Sequence, residues 1–311
     1  MTAAAPLVVI LGPTASGKSS LAIWLAERLN GEVLVCDSTQ VYKHFDVGTA
    51  KVPLAEQRGV AHHLVDLVEP EQIFTAGEYR RQAVQVLAEV SQRGKLPILT
   101  AGTGLYLRAL LEGLADAPER SEQLRARLRE KVQLHGGEHL HRVLARLDPG
   151  AASRITSRDT QKVIRAIEMR TLTGKPVGEI HSAGRSSLEG YTVRKIGLAP
   201  ARDALYARIE ARTMSMLHSG WLDEVRRLMS KGIPQDAKPF QFIGYSELRS
   251  HLNGELTMEA AVRKIQQATR QFAKRQLTWF RKEPAVHWLT GFGDDPNIAA
   301  ASLEFLQTSR W

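Results

Sequence analysis

Hydrophobic and polar positions follow two regimes along this chain: short runs of consecutive apolar residues, and longer segments with apolar residues every three or four positions. Leu7 to Leu11, Glu32 to Cys36 and Leu96 to Thr100 belong to the first regime and predict strands buried on both faces. Arg194 to Leu198 predicts a further strand returning to the same sheet. Helical spacing predicts a helix from Leu21 to Leu29. A second helix starts at Thr75-Ala76-Gly77-Glu78, which has capping-box form, turns Tyr79, Ala83, Val86 and Val90 inward, and ends near Gly94. Strands alternating with helices predict an α/β fold, a parallel sheet flanked by helices.

From Pro118 to about Gly184 the pattern becomes wholly helical, with segments 121–135, 138–147 and 158–173 joined at Gly136-Gly137 and Asp148-Pro149-Gly150. The chain therefore divides into the first part of an α/β core (1–117), an inserted helical subdomain (118–185), and a stretch that completes the core and ends in helices (186–311). Arg158, Lys162 and Arg165 are expected on one helix face, which reads as a phosphate-backbone contact or as a solvated charged face. The long helix Ala261 to Lys282 carries seven Lys or Arg and no acidic residue. At about 100° per residue, Arg263, Arg270, Lys274 and Arg281 align opposite Ile265, Phe272, Gln276 and Trp279, so one face packs and the other forms a cationic rail suited to a polyanion.

The chemistry gathers where the strands end. Gly12-Pro13-Thr14-Ala15-Ser16-Gly17-Lys18-Ser19 has the spacing G-x-x-x-x-G-K-[ST] between the first strand and the first helix, a P-loop in its expected setting. Its backbone N–H groups and the helix N-terminus favour phosphate oxygens, Lys18 reaches the outer phosphate, and the Ser19 hydroxyl is a ligand for Mg²⁺. Asp37, at the end of the second strand, is placed to ligate Mg²⁺, to accept a proton from a nucleophile, or to cap the next segment. The Gln40 amide could read an adenine edge or lie on the surface. Ala101-Gly102-Thr103-Gly104 is a second glycine-rich turn on the same sheet edge, where Thr103 meets a diphosphate oxygen, a substrate amine, or only the helix it caps. His62, His63 and Asp66 do not read as a metal site, because adjacent residues on an extended segment point to opposite faces.

Composition narrows the classes. A chain of 311 residues, 43% hydrophobic, can bury a sizeable core. Its formal net charge of +9 favours a polyanionic partner. A single cysteine, Cys36, excludes an intrachain disulfide framework and a Cys-based zinc cluster, and it suits a reducing cytoplasm. The first apolar run is too short for a membrane span, so no membrane partner is expected. A GTPase-type Asn-Lys-x-Asp base reader is absent, since none of Asn30, Asn253 and Asn297 is followed by Lys. A P-loop kinase for a small acceptor, or a prenyltransferase for free adenylate, could use the same loops without needing the rail. An RNA-binding module without catalysis would not need a phosphate cradle.

Several stretches occur in the order found in one family: GPTASGKS (12–19), DSTQVY (37–42), GTAK (48–51), HHLVD (62–66), GTGLY (102–106), RAIE (165–168), GWLDEV (220–225), IGY (243–245) and TRQFAKRQLTWFR (269–281). On these motifs the sequence resembles the tRNA dimethylallyltransferases, with departures at Ala101, Thr160 and Lys162. The resemblance implies a P-loop NTPase-like fold and transfer of the dimethylallyl group of dimethylallyl diphosphate to the exocyclic N6 amine of the adenosine next to the anticodon, with Mg²⁺ as cofactor. The expected partner is the tRNA anticodon stem-loop, and a cytoplasmic monomer is expected. It implies Asp37 as proton acceptor, with Thr103 and Lys18 as catalytic partners. It also implies tRNA contacts at Asp37, Ser38, Thr39, Gln40, Thr103, Arg125, Gln161, Lys162, Val163, Ile164 and Arg165, beside Arg270 and Lys274 of the rail.

Overall fold

Continuous apolar sequence becomes the middle of a sheet. The computed structural model describes residues 4–115, 117–182 and 186–308. Its strands are β1 (Ala5–Leu11), β2 (Gly31–Cys36), β3 (His62–His63), β4 (Leu96–Ala101), β5 (Tyr191–Leu198) and β6 (Val286–Leu289). They form one parallel sheet in the order β3-β2-β4-β1-β5-β6. The central strand β1 has five consecutive buried residues because helices cover both faces, as parallel sheets require. The four predicted strands form, each starting at or before its expected first residue; β3 and β6, at the two edges, were not expected.

The crossovers are α1 (Lys18–Leu29), α2 (Ala76–Gln92) and α3 (Gly104–Glu112). The Thr75 capping box is formed: its side chain accepts from the Glu78 N–H, and Glu78 accepts from the Thr75 N–H. Leu21, Ile23 and Leu25 of α1 pack with Val8, Ile10, Val33, Ile98 and Ile196 into the main core.

Contacts divide the chain into two units, Met1–Leu110 with Leu188–Trp311, and Leu111–Ser187. The expected boundary at residue 185 lies outside the described residues. The second unit holds α4 (Glu122–His135), α5 (Gly137–Leu147), α6 (Pro149–Ala152), α7 (Thr160–Thr173) and α8 (Val177–Ser182). Leu128, Leu140, Leu144, Val163, Ile164 and Ile167 make its core. The α7 helix starts later than its periodicity predicts, since the Asp159 side chain accepts from the Lys162 N–H and caps it, leaving Arg158 outside.

The first unit ends with α9 (Arg202–His218), α10 (Trp221–Ser230), α11 (Tyr245–Leu252), α12 (Met258–Phe280) and α13 (Pro296–Thr308). Phe45, Trp221, Val225, Phe240, Tyr245, Leu248 and Ile265 form a separate core among them. No helix among the described residues is long and apolar enough to cross a membrane.

Candidate active site

The three glycine- and aspartate-bearing turns lie at the C-terminal ends of β1, β2 and β4, which are neighbours in the sheet. They line one cavity of about 550 Å³ together with Thr14 to Ser20, Asp37 to Gln40, Gly102, Arg208 and Arg212. Met216, Trp221, Ile243, Ile265 and Phe272 add apolar wall to the same cavity. A sheet edge of this kind is the usual ligand crevice of open α/β folds.

The phosphate loop needs unusual backbone. Ala15 has φ +62° and Gly17 φ +84°, and a β-carbon on Gly17 would stand 2.8 Å from the Gly293 nitrogen. Lys18 folds back over its own loop, and Nζ donates to the carbonyls of Gly12 (3.0 Å) and Pro13 (2.8 Å). The Ser16 hydroxyl is fully buried without a hydrogen-bond partner. Thr14, Ala15 and Ser19 line the cavity as expected of a cradle.

Burial pushes the Lys18 ammonium down from 10.5 to about 8; the Asp37 carboxylate opposes that fall and the Arg212 guanidinium adds to it. The protonated fraction in the free protein therefore drops as pH rises through about 8, while a bound diphosphate holds the proton on. Affinity for an unreactive diphosphate analogue should fall by up to about tenfold between pH values near 7 and 9, with proton uptake on binding. Titration calorimetry in buffers of different ionisation enthalpy measures both. Lys18→Met should lose the step, and parallel pH curves for parent and variant would unlink Lys18 from binding.

Asp37 is anchored by one oxygen. Its Oδ1 accepts from the Thr39 N–H (2.8 Å) and hydroxyl (2.7 Å). Its Oδ2 faces Gly102, where a β-carbon would stand 2.5 Å away. The two turns are stitched together: Gly102 and Thr103 N–H groups donate to the Cys36 carbonyl, each at 3.0 Å. The Thr103 hydroxyl accepts from the Ser38 N–H (2.9 Å) and donates to the Ser38 hydroxyl (3.2 Å). Burial pushes the Cys36 thiol up to about 12, so it is no nucleophile at neutral pH.

Sequence reasoning missed two residues here. Gln276 of α12 is buried; its Oε1 accepts from the Thr14 N–H at 2.7 Å and its Nε2 donates to the Gly102 carbonyl at 2.8 Å. One side chain thus ties the phosphate loop to the β4 turn. Arg212 lines the cavity, and its Nη1 donates to the Thr14 hydroxyl at 3.3 Å. Burial, with Arg208 nearby, lowers its pKa, and Asp37 acts against that. The available signals were a polar residue on the packing face of α12 and two arginines four apart on α9.

The expected RNA contacts fall on both units of the chain. On α12 the packing and charged faces are as predicted, with Ile265 and Gln276 buried and Arg263 and Lys274 exposed, while Arg281 caps the helix end. Arg270, however, donates to Glu210 of α9 at 2.7 Å, so part of the rail is neutralised from a neighbouring helix. In the second unit Gln161 and Lys162 are exposed, Lys162 pairing with Asp159 at 2.5 Å. Val163 and Ile164 are a correction: both are buried in the helical core, so their side chains offer no RNA surface. Arg125 is corrected too, from surface contact to a buried group whose Nε and Nη2 donate to Glu168 at 2.9 and 2.8 Å. Arg165 donates to Glu168 (2.5 Å) and to the Pro118 carbonyl (2.9 Å). His62 and His63 do not share a site, since His62 Nδ1 meets the Val60 carbonyl and His63 Nε2 meets Glu32.

Comparison with known proteins points to one family. The family model for IPP transferase matches residues 40–283. The tRNA dimethylallyltransferase of Solibacter usitatus is 48% identical over 299 residues, 96% of this chain and 97% of that protein. The corresponding protein of Geobacter metallireducens is 43% identical over 96% of this chain and 97% of its own. Among solved structures, the full-length tRNA isopentenylpyrophosphate transferase of Bacillus halodurans aligns with TM-score 0.71 and 38% identity, covering 97% of this chain and 95% of its own. A eukaryotic dimethylallyltransferase captured acting on tRNA aligns with TM-score 0.82 and 25% identity over 98% of this chain and 80% of its own.

Proposed function

The chain belongs to the IPP transferase family, and from that premise we propose that it transfers the dimethylallyl group from dimethylallyl diphosphate to the N6 amine of the adenosine next to the anticodon of tRNA. The observation that carries this reading is that a phosphate loop, the Asp37 carboxylate, the Gln40 amide and apolar wall line one cavity. In the reaction the allylic C–O bond breaks, an N–C bond forms, and the N6 proton must leave. Negative charge grows on the departing diphosphate, where the loop amides, Lys18 and Arg212 gather positive charge. The Oδ2 of Asp37 is free to take the proton, because Oδ1 is held by Thr39. Thr103 holds the Ser38 backbone and so orders the turn beside Asp37.

Mg²⁺ fits the donors present. Ser19 offers a hydroxyl, a hard oxygen donor on the cavity wall, while Asp37 Oδ2 is left for the proton. Mg²⁺ takes few protein ligands and keeps water and substrate phosphates. Bound there, Mg²⁺ would supply charge neutralisation to the diphosphate.

Purified protein with Mg²⁺, dimethylallyl diphosphate and unmodified tRNA should yield prenylated adenosine, read by nucleoside mass spectrometry. Phosphate transfer from ATP to a small acceptor, with no prenylated adenosine, would sink this reading in favour of a kinase. Transfer to free adenylate but not to tRNA would favour the adenylate prenyltransferase.

A further inference from the structure

Beyond the apolar wall that Trp221 and Ile243 lend the cavity, the motifs at 48–51, 220–225 and 243–245 meet in one place. The Trp221 ring at the start of α10 is wedged between two glycines, and a β-carbon on either Gly48 or Gly244 would collide with it. One turn along, the Glu224 carboxylate is 2% exposed and fully engaged. Its Oε2 accepts from the N–H groups of Asp46 (3.0 Å) and Val47 (2.8 Å), and its Oε1 from the Gly48 N–H (3.3 Å) and the Tyr245 hydroxyl (2.5 Å). A buried anion thus fixes three successive amides of a loop.

The same loop then fixes Gln40. Its Nε2 donates to the carbonyls of Thr49 (3.0 Å) and Ala50 (3.4 Å). Both partners are acceptors, so the amide nitrogen belongs on that side and Oε1 is the atom turned away from the loop, on a residue that lines the cavity. With its donor committed, this Gln presents an acceptor to the base rather than a donor and acceptor together.

We propose that Glu224 is a positioning residue for base selection. Through the 46–50 loop it holds Gln40 so that Oε1 accepts from an exocyclic amine, which favours adenine over a purine that bears a hydrogen or a carbonyl oxygen at the same ring position. The inference rests on the reading of the cavity as a site for a tRNA adenosine.

The test compares anticodon stem-loop RNAs carrying adenine, purine or hypoxanthine at the target position, by equilibrium binding with an unreactive diphosphate analogue present. The parent should prefer adenine by about three- to tenfold, the scale of one hydrogen bond. Glu224→Gln keeps the size but turns an NH₂ toward backbone donors; it should lose that preference while diphosphate affinity stays within about twofold. Gln40→Ala should lose the same preference, and the double variant should lose no more than either alone, because both act through one contact. Equal weakening of all three RNAs, or additive losses in the double variant, would assign Glu224 a purely structural role and overturn the proposal. If Glu224→Gln does not fold, Glu224→Asp, which keeps the charge and withdraws it by one methylene, is judged by the same criterion. A parent that neither prefers adenine nor prenylates it defeats the reading of the cavity; a parent that does both, beside variants that keep the preference, defeats only the role given to Glu224.

Discussion

Replacing Asp37 by Asn should lower single-turnover prenyl transfer by roughly 10²- to 10⁴-fold, the usual contribution of a positioned general base, while diphosphate affinity changes little. The geometry makes this substitution selective. An Asn carbonyl oxygen in the place of Oδ1 still accepts from Thr39 N–H and Oγ1, bonds of 2.8 and 2.7 Å in the parent, so the side chain keeps its place. What changes is the other branch, where an NH₂ donor replaces the free Oδ2 beside Gly102. The N6 proton then has no acceptor at that position. Rapid-quench measurement at saturating tRNA and prenyl donor reads the chemical step directly. An Asp37→Asn enzyme as fast as the parent would remove Asp37 from the proton's path.

The largest effect on stability is expected at Glu168. Its side chain is fully buried and accepts from Arg125 Nε (2.9 Å) and Nη2 (2.8 Å), Arg165 Nη1 (2.5 Å) and the Ser121 N–H (2.8 Å). Those bonds join the capped start of α4 to the middle of α7. Glu168→Gln preserves shape but sets an amide donor against guanidinium donors and leaves Arg125 buried without its counter-charge, which should cost about 3–5 kcal/mol. The sign with pH is defined. Burial alone would push the Glu168 carboxyl up, but the hydrogen bonds from Arg125, Arg165 and Ser121 outweigh it and hold the group at about 2, below its ordinary 4.5. Its stabilisation is therefore complete above pH 4.5 or so and is lost as pH falls from there toward 2. Denaturant titrations of the full chain at neutral pH and near pH 3 measure both effects: the gap between parent and variant should narrow in acid. An equal gap at both values would mean that the carboxylate's charge is not what holds the helices.

The parts legible in the sequence are those with a local physical signature. Five consecutive apolar residues in β1, the glycine spacing of the phosphate loop and the Thr75 capping box each encode their structure within a few positions. The edge strands do not. β3 is two residues long and β6 four, both partly exposed, and each takes its form from the neighbour it pairs with rather than from an apolar run of its own. Among site residues, Asp37 and Thr103 were readable because strand ends announce them. Gln276 and Glu224 were hidden for the opposite reason: each is a polar residue on a helix face that otherwise packs, and its partners lie 262 and up to 178 positions away. Arg125, a tRNA contact only by the family resemblance, is paired instead with Glu168, a partner 43 positions away that its own stretch does not announce.

The Gln276 bridge also sets an order of events during synthesis. Thr14 leaves the ribosome 262 residues before the side chain that accepts from its N–H, and at about 5–20 residues per second that interval is of order ten seconds to a minute. The β1, β2 and β4 strands have all emerged by residue 101, so their turns exist early, but the clasp that fixes the span between the phosphate loop and the β4 turn arrives only with α12. A nascent chain therefore carries the parts of the cavity well before it carries their spacing.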